Sequence, residues 1–141
     1  MDFDIKELPK RAKKEGEFDN RGFLIEFLTR KELREENKEF AHVYLATIAP
    51  NTIRGNHYHK ETEEFFVIMS GKAKIILEDI KTKERKEILL DASENHIKRI
   101  RYGPNIAHAI KNISKETLFL TAYITRPYDH NDQQEYFLLK N

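Results

Sequence analysis

The chain has 141 residues, and its 25 Lys plus Arg against 24 Asp plus Glu leave a formal net charge of +1, which argues against a general nucleic-acid binder but leaves room for a local basic pocket. Hydrophobic residues at 39% and aromatics at 11% are too many for a disordered chain, and the length suits one domain around one core. The absence of cysteine excludes disulfides, thiolate metal ligands and cysteine nucleophiles, so any metal must be held by histidine or carboxylate.

Residues 1–17 read as a charged N-terminal arm, rich in Lys and Glu around Pro9, either a short helix or an extended, solvated segment. From residue 18 onward the chain reads as one barrel domain, 18–141. Short β-branched and aromatic runs follow at 22–28, 41–48, 65–69, 73–77, 88–90, 97–102, 107–110 and 117–124. Turn signals such as Ser70-Gly71 and Gly103-Pro104 separate them. Only 31–38 has the look of a helix. Many short strands at nearly regular spacing predict an all-β sandwich or barrel. No apolar run approaches the ~20 residues of a membrane span, and Met1-Asp2-Phe3-Asp4 lacks the basic and apolar regions of a signal peptide. The expectation is therefore a cytoplasmic protein with no membrane partner.

The informative stretch runs from Arg54 through Gly55, Asn56, His57, Tyr58 and His59 to Glu63 and Glu64. On a strand, side chains alternate faces, so His57 and His59 point the same way, about 7 Å apart. A turn after His59 lets Glu64 open the next strand, where an antiparallel neighbour would bring its carboxylate beside the histidines. Beyond Gly103-Pro104, His108 sits in another short strand. Three imidazoles and one carboxylate, without sulfur, suit zinc, iron, manganese, nickel or copper and leave open positions for a ligand. Each histidine alone reads as an ordinary polar residue at a barrel mouth; the set at this spacing reads as a metal site. His42, His96 and His130 lack such partners.

This arrangement resembles the cupin family. The spacing of His57, His59, Glu64 and Gly71 fits its first motif at every position, while its leading Gly normally lies further upstream than Gly55. His108 and Asn112 fit the spacing of the second motif, although Pro104 stands one residue too close. The fold implied is a cupin-type double-stranded β-helix, a jelly-roll barrel, and the metal ligands implied are His57, His59, Glu64 and His108. Three further segments narrow the resemblance. Asp19-Asn20-Arg21-Gly22 looks like the DxRG segment of cupins acting on nucleotide-linked 4-keto sugars. Arg54-Gly55-Asn56-His57-Tyr58 is similar to segments of dTDP-4-dehydrorhamnose 3,5-epimerases and dTDP-sugar 3,4-ketoisomerases. The tail from Tyr128-Asp129 to Tyr136-Phe137 resembles the ending of the ketoisomerases and of the metal-binding cupin domain in capsular polysaccharide sugar-nucleotide reductases.

The resemblance implies proton removal α to a ketone and return to another face or carbon of a nucleotide-activated 4-keto-6-deoxy sugar, in cell-surface polysaccharide synthesis. A non-catalytic sugar-binding cupin and a metal-dependent dioxygenase are the alternatives. One divalent metal is expected, zinc first and iron, manganese, nickel or copper after it. A histidine that gives its lone pair to a metal cannot also abstract a proton, so His57 is ligand or base, and the presence of Glu64 and His108 favours ligand. Tyr44, Tyr58 and Lys74 are the other candidates for handling protons or charge, although Tyr44 reads equally as packing and Lys74 as a wet strand face. Arg21 and Arg54 are candidates for the diphosphate, because planar guanidinium matches phosphate oxygens. The resemblance also implies a homodimer, with 22–28 crossing to a partner barrel.

Overall fold

The computed structural model describes residues 1–10 and 22–140. Its strands are β1 (Phe3–Pro9), β2 (His42–Ile48), β3 (Ile53–His59), β4 (Glu64–Ile68), β5 (Lys72–Asp79), β6 (Arg85–Asp91), β7 (His96–Tyr102), β8 (Ile106–Asn112), β9 (Leu118–Ile124) and β10 (Gln133–Glu135). They form two antiparallel five-stranded sheets, in the orders β1-β7-β4-β9-β2 and β10-β3-β8-β5-β6. The predicted all-β jelly roll is therefore the fold.

Period-two patterning builds the interior. In β2, Tyr44, Ala46 and Ile48 turn inward while Val43 and Leu45 stay exposed. Between the sheets lie Ile48, Ile68, Ile75, Leu77, Ile100 and Leu118, all at 1% exposure or less. At roughly 1.5–3 kcal/mol for each fully buried side chain of this kind, burial here is what drives the sheets together. At the far end of β8, Asn112 ties the sheets together: its Nδ2 donates to the Ile48 and Glu116 carbonyls at 2.9 and 2.6 Å.

Of the two readings of the arm, the extended one holds for its first residues, which join the barrel: Phe3–Pro9 pairs along its whole length with β7, Ile5 opposite Ile100 and Leu8 opposite Ile97. Two other sequence expectations change. The run 22–28 makes no strand beyond an isolated bridge at Leu24. Instead Ile25 and Phe27 pack on Leu8, Val67 and Ile97, covering the outer face of the first sheet, which is why every residue of β4 is buried. The predicted helix at 31–38 is two single 3-10 turns, Arg30–Glu32 and Glu35–Asn37. A stretch rich in Lys and Glu offers no apolar stripe for a longer helix to bury.

Candidate metal and proton-transfer site

One irregularity of β3 decides where its histidines point. The ladder with β8 pairs Ile53 with Lys111, Arg54 with Ile110 and Gly55 with Ala109, then slips so that His57 opposes His108. A regular ladder would put Asn56 opposite His108 and turn His57 and His59 outward. Asn56 takes a left-handed conformation, φ 58°, and forms the bulge that absorbs one residue and reverses the facing of everything after it. Gly55 is needed beside it, because a Cβ there would lie 2.6 Å from the His108 carbonyl oxygen.

The three imidazoles converge. Ring centroids are 5.1 Å apart for His57 and His59, 4.6 Å for His57 and His108, and 5.4 Å for His59 and His108. Among the described residues, these three form a set whose ligand nitrogens all lie within 4.8 Å of one another. The His108 Nδ1 lies 3.1 Å from the Ile106 carbonyl oxygen, which can only accept, so Nδ1 carries the proton and Nε2 presents its lone pair. The Nε2 atoms of His59 and His108 are buried without a hydrogen-bond partner, a costly arrangement unless something else engages them. Burial, reinforced by the charge of His59, lowers His57 to about 4. Burial also lowers His59, against the pull of Asp132, and drives His108 well below the usual imidazole range with the help of His57 and His59. Neutral, convergent, unpartnered imidazole nitrogens fit a divalent transition metal.

Glu64 reaches this set from across the barrel, not from a strand beside β3: β4 belongs to the opposite sheet. Its Oε2 is 3.7 Å from His59 Nε2, but it is not part of the close three-nitrogen set. The Tyr44 hydroxyl donates to Oε1, and Tyr102 stands opposite Glu64 across the ladder between β4 and β7, near enough for its phenol to act on the carboxyl. Burial raises Glu64 to about 7 despite both hydroxyls, and raises both phenols.

Tyr44, His57, Glu64, Tyr102 and His108 line a cavity of about 130 Å³, whose apolar wall is Phe66, Ile110 and Leu120 and whose rim carries Arg54. The Arg54 Nε donates to the Thr47 carbonyl at 2.8 Å, which links β3 to β2 of the other sheet. Of the residues proposed from sequence, Tyr44, Arg54, His57, Glu64 and His108 line this cavity, and His59 joins them through the histidine set. Tyr58 does not line it: one residue from His57 and His59, it faces outward and packs edge-on against Tyr136 at 6.1 Å. Lys74 is also outside it, 3.4 Å from Glu87. Arg21, with Asp19 and Asn20, lies outside the described residues.

Two residues escape sequence reasoning. Tyr102 is 2% exposed and stacks on His108, with centroids 4.0 Å apart and planes at 22°. Asp132, in the tail, accepts from the Glu61 amide at 2.9 Å and the Thr62 hydroxyl at 2.6 Å, and its Oδ2 lies 3.7 Å from His59 Nδ1. The only signal for Tyr102 was its place just before Gly103-Pro104, whereas Asp132 is a residue of the tail segment that carried the resemblance, where it had no role assigned.

The family model of the polysaccharide biosynthesis C-terminal domain matches residues 17–136. By structure, the chain is similar to a 3,4-ketoisomerase from Helicobacter canadensis, with 27% identity and a TM-score of 0.74, over 95% of this chain and 90% of that one. It is similar to a dTDP sugar isomerase from Desulfovibrio desulfuricans G20, with 14% identity and a TM-score of 0.79, over 96% and 83% of the two chains. Capsular polysaccharide assembling protein CapF from Staphylococcus aureus aligns at 20% identity and a TM-score of 0.66, over 71% of this chain and 27% of that one. The match thus spans about a quarter of CapF's length. No curated protein matches the chain by sequence. With the family model covering residues 17–136 and a cupin-type jelly roll beneath it, the chain belongs to the polysaccharide biosynthesis C-terminal domain family.

Proposed function

We propose that this protein is an epimerase or ketoisomerase of a nucleotide-activated 4-keto-6-deoxy sugar in cell-surface polysaccharide synthesis, acting as a homodimer with one divalent metal at the histidine set. The observation that carries the reading is the meeting of three neutral imidazoles and a tyrosine-bound carboxyl in one small cavity. The similarity to a 3,4-ketoisomerase at 27% identity supports the choice of reaction.

His57, His59 and His108 hold the metal, zinc before iron, manganese, nickel or copper. When bound, it supplies Lewis-acid polarisation of the sugar's ketone oxygen. Glu64 is assigned as the proton acceptor beside that set, because it stands outside the close group of nitrogens and is already oriented by the Tyr44 hydroxyl. Tyr44, donating to Glu64, returns or relays the proton. Phe66, Ile110 and Leu120 suit the methyl group of a 6-deoxy sugar, and Arg54 at the rim suits a diphosphate oxygen.

Two measurements test this. Metal analysis of the purified protein is expected to find about one divalent ion per chain, lost in His59→Ala with His108→Ala. In deuterated water, incubation with UDP- and dTDP-linked 4-keto-6-deoxy sugars is expected to place deuterium at C3 or C5. Glu64→Gln is expected to keep the metal and lose exchange; loss of metal in that variant would instead make Glu64 the fourth ligand. Tight sugar-nucleotide binding without exchange would make the protein a binding cupin.

A further inference from the structure

We propose that Tyr102 is a positioning residue that couples the two halves of the site: its ring fixes the plane of His108 and its hydroxyl fixes the carboxyl of Glu64. This rests on the metal and proton-acceptor roles given above.

The placement follows from the sheets. Tyr102 ends β7 directly opposite Glu64, the first residue of β4, so the two side chains share one face. That face looks across the barrel at β8, where the Tyr102 ring lies flat on His108 at 4.0 Å and 22°. His108 is thereby gripped from two sides, its Nδ1 by the Ile106 carbonyl oxygen and its face by the phenol. Such a ring cannot tilt without breaking one contact, and its Nε2 keeps its aim at the His57 and His59 nitrogens. The hydroxyl performs the matching service for Glu64. The Tyr44 hydroxyl donates to that carboxyl from the side of β2, and Tyr102 flanks it from directly opposite in β7, so the carboxyl sits between two phenols beside the imidazoles. Phe66, 6.2 Å from the Tyr102 ring, and Phe3, opposite it in β1, close the surroundings and leave the ring no other place.

The two functions of the side chain separate chemically. Tyr102→Phe keeps the stacked ring and removes the hydroxyl; Tyr102→Leu removes both. In Tyr102→Phe, metal affinity is expected to stay within about twofold of the parent, while kcat for exchange falls about tenfold or more with KM little changed. In Tyr102→Leu, metal affinity is expected to fall about tenfold as well, read by competition with a chromophoric chelator and by the visible spectrum of the cobalt-loaded protein. Unchanged kcat in Tyr102→Phe, or parental metal affinity in Tyr102→Leu, would overturn the proposal. A third readout does not depend on metal or substrate. The His108 ring-proton resonances, displaced by the phenol ring current, are expected to keep their positions in Tyr102→Phe and move in Tyr102→Leu. If the parent binds no metal and exchanges nothing, the functional reading fails by itself, while unmoved His108 resonances would sink the positioning role alone. Circular dichroism and melting of both variants confirm that the barrel is intact.

Discussion

The side-chain amide of Asn56 pairs with the peptide of Leu139 in both directions, its Nδ2 donating to the carbonyl at 2.9 Å and its Oδ1 accepting from the amide at 3.0 Å. Oδ1 also accepts from the Leu138 amide at 2.8 Å, and the Tyr136 amide donates to the Asn56 carbonyl at 2.8 Å. The residue that forms the bulge thus also anchors the C-terminal tail. Asn56→Gly tolerates the left-handed backbone but drops the clamp, whereas Asn56→Ala loses both. Urea unfolding should show both variants destabilised, with Asn56→Ala the weaker by about 1 kcal/mol, the cost of a left-handed alanine. Equal stabilities would mean that the bulge is not held by local conformation.

Asp132 makes the tail part of the site's support. Its carboxylate closes the turn between β3 and β4 through Glu61 and Thr62, and the Lys60 amide donates to its carbonyl at 3.0 Å. Asp132→Ala strands the buried Thr62 hydroxyl and frees the Glu61 amide, so a loss of about 1–3 kcal/mol is expected, together with weaker metal retention through a less constrained His59. Thermal melting and metal titration check the two effects. Thr62→Val removes only the hydroxyl bond; if it costs as much as Asp132→Ala, the aspartate's other contacts contribute nothing.

What the sequence made legible follows from how local each feature is. The alternation of His57 and His59, and the short β-branched runs from β4 to β9, depend on period-two patterning and nearby turns, so they could be read directly. The facing of those histidines could not, because it hinges on Asn56, one residue whose left-handed backbone is compensated by a tail more than 70 positions away. Residues 22–28 carry strand-like side chains, yet they serve as a cover for Leu8, Val67 and Ile97. That distinction is tertiary, since apolar content alone does not tell a paired strand from a packed strap. Glu64 was recognisable as a partner of the histidines, but its route across the barrel depends on sheet order. Tyr102 and Asp132 come from distant positions, and no spacing rule connects them to His108 or His59.

Acid should remove a contribution made by Glu32. Partial burial pushes this carboxyl up, but the Lys6 ammonium, the Thr29 amide and the Arg99 guanidinium outweigh it and hold it at about 2, below its ordinary value of 4.5. A carboxyl depressed by folding stabilises the native state above its unfolded value and stops doing so as pH falls through its folded value. The stability difference between the parent and Glu32→Gln is therefore expected to be full above pH 4.5 and to shrink towards pH 2. Urea midpoints measured across that window check it. A difference that stays constant would show that the ion pairs to Lys6 and Arg99 add nothing to folding.

The closest backbone approach in the site gives the sharpest steric prediction. Gly55 has φ 95°, and a Cβ added there would stand 2.6 Å from the His108 carbonyl oxygen and 3.1 Å from the Ala109 Cα. Neither neighbour is a flexible side-chain end; both are backbone of β8, paired on its other side with β5. β3 must therefore move away from β8 at the position that aligns His57 with His108. Gly55→Ala is expected to cost about 1–3 kcal/mol, in the range of backbone strain at such positions. It should weaken metal binding much more than a stability loss of that size alone would, because the three imidazole nitrogens no longer converge. Metal titration well below the melting temperature separates the two effects. A folded Gly55→Ala protein with parental metal affinity would show that the histidine set does not depend on the contact between β3 and β8.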